Sequence, residues 1–343
     1  MGRDGDLSRR AVMISGACGL IAGAPQESRA QAETWTTAPP MPTPAQEIYP
    51  TFHNGTLHVA GGIAALRADG RLDVSDRHLA YDPGVRRWRD VGALPYASHH
   101  AQLVSHGGQL FLIGGFRTDA NGDWIASDAV HVLGDDGWRA QNPLPRPIAE
   151  CCAAIIDGRI HIVAGRTPSG RANANWRDHT DTDTHLVFDP GAGRSIEAPP
   201  IPSPRNSAAS AAIDDRMLVC GGRTVSGDLS DDLLMFDPAQ GDNGGWVRLA
   251  PMPEARAGHA AAIVGETMYV FGGEWFGPGG SGVFETTLSY SVGQDRWTTL
   301  GPMPVPRHGL GAAGYGGDVF VVGGAERAGA DGTTARLDLF SPG

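Results

Sequence analysis

The sequence predicts an all-β, turn-rich protein built from six copies of one internal repeat. Three observations carry that expectation. The 343 residues include 49 Gly and 25 Pro, and both residue types interrupt helices. The chain is nonetheless 41% hydrophobic, enough to bury a core rather than stay disordered. A pair of glycines also recurs, at Gly61-Gly62, Gly114-Gly115, Gly221-Gly222, Gly272-Gly273 and Gly323-Gly324, with Ala164-Gly165 as a degenerate copy. The first members lie 53, 50, 57, 51 and 51 residues apart, a spacing that marks an array of one supersecondary unit.

Within each repeat the elements follow in a fixed order. A β-rich run precedes the glycines, as in Leu57-His58-Val59-Ala60, Leu110-Phe111-Leu112-Ile113 and Ile160-His161-Ile162-Val163. The paired glycines suit a strand end pressed against its neighbours, where a side chain would not fit. An aromatic turn follows at Tyr81-Asp82-Pro83, Phe188-Asp189-Pro190 and Phe236-Asp237-Pro238, with Phe340-Ser341-Pro342 as a variant. Next comes Trp88, Trp138, Trp246 or Trp297, with Ser195 in that place in the third repeat. Five residues on, a loop such as Pro251-Met252-Pro253 or Pro302-Met303-Pro304 begins. A period near 50 holds four short antiparallel strands. The spaced aromatics are expected to pack between units rather than to bind a cofactor.

This combination of double glycine, aromatic turn, Trp and Pro-Met-Pro resembles the Kelch repeat over roughly residues 33–343. The resemblance implies a six-bladed Kelch β-propeller in one domain. The sixth repeat runs out at Phe340-Ser341-Pro342-Gly343, before its Trp, whereas Trp35 stands five residues before Pro40-Met41-Pro42. Residues 34–42 are therefore expected to complete the last blade and close the ring, which leaves few strand edges exposed.

Residues 1–32 read as an export signal. Ser8-Arg9-Arg10-Ala11-Val12 resembles a twin-arginine (Tat) signal, residues 11–24 are apolar, and Ala30-Gln31-Ala32 is a small-x-small cleavage site. The 14-residue apolar stretch is too short for a membrane-spanning helix, which needs about 20 residues. The expected location is periplasmic or secreted after cleavage near Ala32, with no membrane span. All 27 basic residues are Arg, so Schiff-base lysine chemistry, a lysine base and a P-loop are excluded. The net charge of −11 argues against a nucleic-acid partner. Adjacent Cys151 and Cys152, with distant Cys220, make no disulfide framework; buried free thiols or a strained vicinal pair remain open.

Counting back from the glycines aligns three columns at the start of the innermost strands. The first reads Ala45, Ser98, Ile148, Arg205, Arg256, Arg307; the second Gln46, His99, Ala149, Asn206, Ala257, His308; the third Glu47, His100, Glu150, Ser207, Gly258, Gly309. A fourth, just after the glycines, reads Ile63, Phe116, Arg166, Arg223, Glu274, Ala325. The meander places all four on one face, the axial mouth. Arg166, Arg205, Arg223, Arg256 and Arg307 suggest a carboxylate gripped bidentately, although the first-column arginines can equally hold a neighbouring loop. Asn206, Glu274, Trp275 and His308 complete the expected ligand-binding set.

Glu47, His99, His100 and Glu150 are the candidate catalytic residues. Two carboxylates and an imidazole at equivalent positions can move protons or bind a divalent metal; no resident cofactor is expected. Long loops at 63–78, 166–185 and 274–286 add binding surface. Asp181 and His185 give half of a spacing similar to the iron site of nitrile-specifier Kelch proteins, but Arg177 occupies the first ligand position.

Fold does not decide function, so two readings are carried. In one, the protein binds a small anionic or sugar-like ligand and acts as an isomerase of mutarotase or epimerase type. That carbohydrate-binding reading is implied by a similarity of fold class, export and Arg-plus-acid mouth to the periplasmic Kelch sialate mutarotases. In the other it is a non-catalytic extracytoplasmic module for a protein or polysaccharide. A copper-radical oxidase is disfavoured, because it needs a Cys–Tyr pair and several Tyr and His ligands, and only six Tyr occur.

Overall fold

The repeat period converts directly into sheets. The computed structural model describes residues 33–119 and 121–343, so the export-signal expectation on residues 1–32 lies outside the described residues. Six antiparallel four-stranded sheets follow one another along the chain. Blade 1 comprises Thr51–His53, Thr56–Ala60, Arg77–Asp82 and Arg87–Ala93, and blades 2 to 5 repeat that meander. Blade 6 takes Gly311–Tyr315, Asp318–Val322 and Leu337–Ser341 from one end of the chain and Thr34–Ala38 from the other. Thr34 pairs with Ser341 and Ala38 with Leu337, as expected from the position of Trp35. The innermost strands contact one another in cyclic order, blade 6 meeting blade 1. The fold is a six-bladed Kelch-type β-propeller.

Packing lies between blades. Each hydrophobic cluster draws on two neighbours: Phe111 and Ile113 of blade 2 meet Ile160 and Phe188 of blade 3, and Val59 and Tyr81 of blade 1 meet Phe320 and Leu337 of blade 6. The repeated tryptophans serve this packing. Trp35 lies 5.6 Å from Phe271 and 5.0 Å from Phe340, ring centre to ring centre. Trp88, Trp246 and Trp297 donate their indole N–H to Pro39, Pro199 and Ala250 carbonyls at 2.8–2.9 Å. Strand alternation sends Cys151 into the core between blades 2 and 3 and Cys152 into that between blades 3 and 4. Both are free, and burial pushes both thiols well above their ordinary range.

The double glycines hold the ring together. In every blade the N–H of the second glycine donates to the first-column carbonyl of the next blade. The pairs are Gly62 to Ser98, Gly115 to Ile148, Gly165 to Arg205, Gly222 to Arg256, Gly273 to Arg307 and Gly324 to Ala45, all at 2.7–2.9 Å. The same carbonyl presses on the first glycine: a Cβ at Gly61, Gly114, Gly221, Gly272 or Gly323 would stand 2.0–2.7 Å from its oxygen. Ala164 is the exception, at φ +59°.

Two buried histidine pairs occupy equivalent places in blades 1 and 3. His58 Nδ1 lies 2.8 Å from His78 Nε2, and His161 Nδ1 lies 2.8 Å from His185 Nε2. Burial, reinforced by the partner imidazole at His78 and His161, lowers their pKa values to about 4, 3, 3 and 4 for His58, His78, His161 and His185.

Two predictions follow from the glycines and these pairs. Gly272→Ala should cost about 2–4 kcal/mol, because the new methyl meets fixed backbone in a left-handed conformation; the urea midpoint measures it. Below pH 6.5 the unfolded chain binds protons that the folded pairs refuse, so stability is full above pH 6.5 and declines as pH falls towards 4 and 3, by about 1.4 kcal/mol per pH unit for each proton. A urea midpoint that stays flat from pH 6.5 to 4 would contradict this, and replacing both members of one pair by Leu should flatten the slope.

Candidate functional site

The start of each innermost strand builds the mouth. Each second-column residue pairs with the residue just after the double glycine: Gln46 with Ile63, His99 with Phe116, Ala149 with Arg166, Asn206 with Arg223, Ala257 with Glu274 and His308 with Ala325. The aligned columns are therefore real neighbours around the axis. The third-column residues, Glu47, His100, Glu150, Ser207, Gly258 and Gly309, all have φ between 51° and 63°. Backbone bonds join five of the six neighbouring pairs around the axis. The N–H groups of Glu47, His100, Ser207, Gly258 and Gly309 donate to the carbonyls of Gly309, Glu47, Glu150, Ser207 and Gly258 at 2.6–3.3 Å. Four of the six carry side chains in a conformation costing roughly 1–3 kcal/mol each, a strain that clusters at functional sites.

A cavity of about 680 Å³ opens above this ring. Of the expected residues, Glu47, His100, Glu150, Arg166, Asn206, Arg223, Glu274 and His308 line it. His100 Nε2 lies 2.8 Å from Glu47 Oε2, and its Nδ1 lies 2.7 Å from His99 Nδ1. Ser207 donates its hydroxyl to Glu150 Oε2 at 2.6 Å, while Glu150 Oε1 faces Arg166 Nη1 at 3.4 Å. Arg223 Nη1 bonds Glu274 Oε1 at 2.6 Å, and the Gly329 N–H donates to Glu274 Oε2 at 2.9 Å. Gln46, which also lines the cavity, donates to Thr333 Oγ1 at 2.7 Å.

The charges set each other. Burial raises the Glu47 carboxyl, but His100, His308 and Arg223 outweigh it and hold the pKa at about 2. Burial lowers His100, and the Glu47 and Glu150 carboxylates outweigh it, so its pKa is raised. Glu150 is raised by burial and lowered more by His100, Arg166, Arg223 and Ser207. His99 is pushed well below its ordinary value, by burial first and His100 second. The His100–His99 bond then runs one way, from the His100 Nδ1–H to the unprotonated His99 Nδ1, a tautomer assigned from the network. A carboxylate and an imidazolium, Glu150 and His100, so face one cavity from adjacent blades.

Several expectations are corrected by geometry. Arg205, Arg256 and Arg307 do not reach the cavity. They are 2%, 0% and 0% exposed, and each turns away from the axis to cap its own blade's first glycine. Arg205 donates to the Gly221 carbonyl, Arg256 to Gly272 and Arg307 to Gly323, at 2.9–3.0 Å. Asp232 and Asp338 balance Arg205 and Arg307 at 2.7 and 2.9 Å, and Arg256 bonds Glu254 at 2.8 Å. Five converging guanidiniums are thus two, Arg166 and Arg223. Trp275 packs on Gly282 and does not line the cavity; Trp124, Trp176 and Phe276 do. His99 supports His100 from behind and is 1% exposed. Asp181 accepts from Asn206 Nδ2 at 2.6 Å, while His185 is spent on His161, so the two share no site. Among the described residues no group of three His, Cys, Asp or Glu side chains is arranged to hold a metal ion, and no helix is long and apolar enough to cross a membrane.

Comparison with known proteins points to the same architecture. Residues 138–324, more than half of the chain, match the KLHDC2/KLHL20/DRC7 Kelch-repeats domain. Kelch-like protein terF of Aspergillus terreus is 24% identical over 320 residues, which span 90% of this chain and 68% of terF. Kelch-like protein 35 of Mus musculus is 28% identical over 190 residues, 54% of this chain and 29% of its own length. Beta-scruin of Limulus polyphemus is 25% identical over 237 residues, 68% of this chain and 25% of its own. The chain therefore spans under a third of the last two. A solved structure described as "Structure of YjhT" aligns with a TM-score of 0.74 at 18% identity, covering 88% of this chain and 96% of that one; at that identity the likeness shows the fold alone.

The corrected role of the first-column arginines is open to measurement. Arg307→Gln should cost about 2 kcal/mol of unfolding free energy, because it leaves the buried Gly323 carbonyl without its guanidinium donor and Asp338 with Arg336 as its remaining cation. A loss below about 1 kcal/mol in urea unfolding would show that the guanidinium is not what holds the glycine turn.

Proposed function

The chain belongs to the Kelch-repeat family, and from that premise we propose that it is an exported propeller whose axial mouth binds a small polar, carboxylate-bearing ligand and moves protons on it. The reaction class is isomerisation of mutarotase or epimerase type on an acidic sugar or similar molecule. Export rests on the twin-arginine-like Ser8–Val12 segment and the small-x-small site at Ala30–Ala32.

One observation carries the catalytic reading. Glu150 is held below the ordinary carboxylate range and His100 above the ordinary imidazole range, at adjacent places of one strained ring. Divergent pKa values in neighbouring groups assign a base and an acid. Arg223, whose Nη1 is bound to Glu274 and which is part-exposed at the mouth, would hold the ligand carboxylate. Glu150 would accept the proton of an anomeric hydroxyl as its C–O bond becomes C=O, and His100 would donate its Nε2 proton to the departing ring oxygen as that oxygen replaces Glu47 Oε2 as its partner. Closure on the other face of the carbonyl reverses both transfers. Glu47 keeps His100 cationic, and Ser207 keeps Glu150 oriented.

Polarimetry and NMR of freshly dissolved acidic sugars test this, beside melting-temperature shifts, since a ligand bound to the folded state stabilises it. Glu150→Gln and His100→Asn should each slow the catalysed exchange by roughly 10²–10⁴-fold. The rate should rise through an acid limb below pH 4.5, where Glu150 ionises, and fall through an alkaline limb above pH 6.5, where His100 loses its proton. If no acidic sugar shifts the melting temperature and none is interconverted faster than in buffer, the enzyme reading fails.

A further inference from the structure

The rim of the mouth has a chemistry opposite to its floor. Seven large apolar residues are exposed among the described residues: Leu66, Val85, Trp176, Ile196, Val225, Phe276 and Tyr315. Four of them, Leu66, Trp176, Val225 and Phe276, line the one cavity above the ring. They come from four different segments after the double glycines, in blades 1, 3, 4 and 5, so their convergence is not the back face of a single strand. Leu66 and Phe276 stand on two-stranded hairpins, 63–66 with 72–74 and 274–277 with 280–283. Trp176 is fixed by Arg166, whose Nη2 donates to the Trp176 carbonyl at 2.6 Å and whose guanidinium lies 5.2 Å from the indole ring centre. Single exposed apolar side chains need no explanation, but a group of them around a concavity marks a binding surface.

The buried residues that line the cavity are polar apart from Ile63. His100, Glu150, Arg166 and His308 are each 1–5% exposed and line its depth. Gln46 Oε1 and Arg166 Nε have no hydrogen-bond partner in the protein. The volume of about 680 Å³ falls within the roughly 300–1,000 Å³ of sites that enclose a small molecule rather than a protein surface. A fully hydroxylated ligand would satisfy the floor and leave its own hydroxyls against Leu66, Val225 and Phe276, where they lose hydrogen bonds to water without replacement.

We infer that the ligand is amphipathic: an oxygenated acid head seated on the floor, carrying an aromatic or alicyclic body that lies against Leu66, Trp176, Val225 and Phe276. This rests on the reading of the mouth as a small-molecule site and names the ligand class for it. The flat faces of Trp176 and Phe276 suit a ring, since offset or edge-on aromatic contacts add to the area buried.

Two matched pairs of probes differ by a phenyl group in place of a hydrogen: mandelate against glycolate, and phenyl glucuronide against glucuronate. Each is titrated into the full chain, followed by calorimetry and by quenching of tryptophan fluorescence. The phenyl member of a pair should bind at least tenfold more tightly, and Leu66→Ser with Phe276→Ser should bring that ratio to within twofold at unchanged melting temperature of the free protein. If the members of a pair bind equally, or the double substitution leaves the preference intact, the amphipathic assignment is overturned while the mouth remains a site. If no probe of either pair binds, both the assignment and the small-molecule mouth fall.

Discussion

Six equivalent hydrogen bonds, each from the second residue of a glycine pair to a carbonyl of the next blade, govern this molecule. They demand a left-handed backbone and an empty side-chain position beside a carbonyl oxygen, which is why glycine stands there five times out of six. The approach fixes where each blade's innermost strand begins relative to its neighbour. Every residue of the mouth is counted from that point, so the site inherits its precision from backbone contact rather than from loop packing. Ala164 shows that the constraint can be met at the expense of strain in one blade; the Gly165–Arg205 bond beside it, at 2.7 Å, is as short as any in the set.

From this frame a simple sorting follows. Two residues before the left-handed ring, side chains turn into the blade interfaces, and Arg205, Arg256 and Arg307 cap the glycine carbonyls there. At the ring itself, side chains meet around the axis. The arginines near the axis of this lysine-free protein are therefore used in two ways. Buried ones hold turns, and only Arg166 and Arg223 are left to balance Glu47, Glu150 and Glu274 at the mouth. The balance is local: each carboxylate has a cation or an imidazole within 3.4 Å, and the resulting shifts keep Glu150 anionic while His100 holds its proton.

The repeat made much of this legible before any coordinates. Glycine spacing located the blades, Trp35 located the shared sheet, and counting from the glycines put Gln46 beside Ile63 and Asn206 beside Arg223. What counting cannot supply is the direction of a long side chain. Arg205 and Arg223 look alike as letters near one mouth, but Arg205 folds back on Gly221 because the backbone there points its Cβ into the interface. Loop hairpins were equally opaque, since their register is set by local turns that do not repeat between blades. That is why Trp275 was expected in a place that Phe276 takes, and why Trp124 went unnoticed. The fate of Cys151 and Cys152 needed only strand alternation, yet it becomes decisive once two different interfaces are seen on either side.

The last sheet joins residues about three hundred positions apart, and this has a consequence for how the chain acquires its shape. Blades 1 to 5 are sequence-local meanders that can form as they emerge, whereas the sixth waits for Leu337–Ser341 to find Thr34–Ala38. Closure of so long a loop is entropically uphill until the contacts it brings are made. Until then the slot for Trp35 between Phe271 and Phe340 stays open, and the outer edge of a three-stranded sheet offers its unpaired backbone to any other chain. The ring is thus most vulnerable to misassembly just before it is complete, and the strand that guards it, which precedes the five local blades in the chain, is the last one placed.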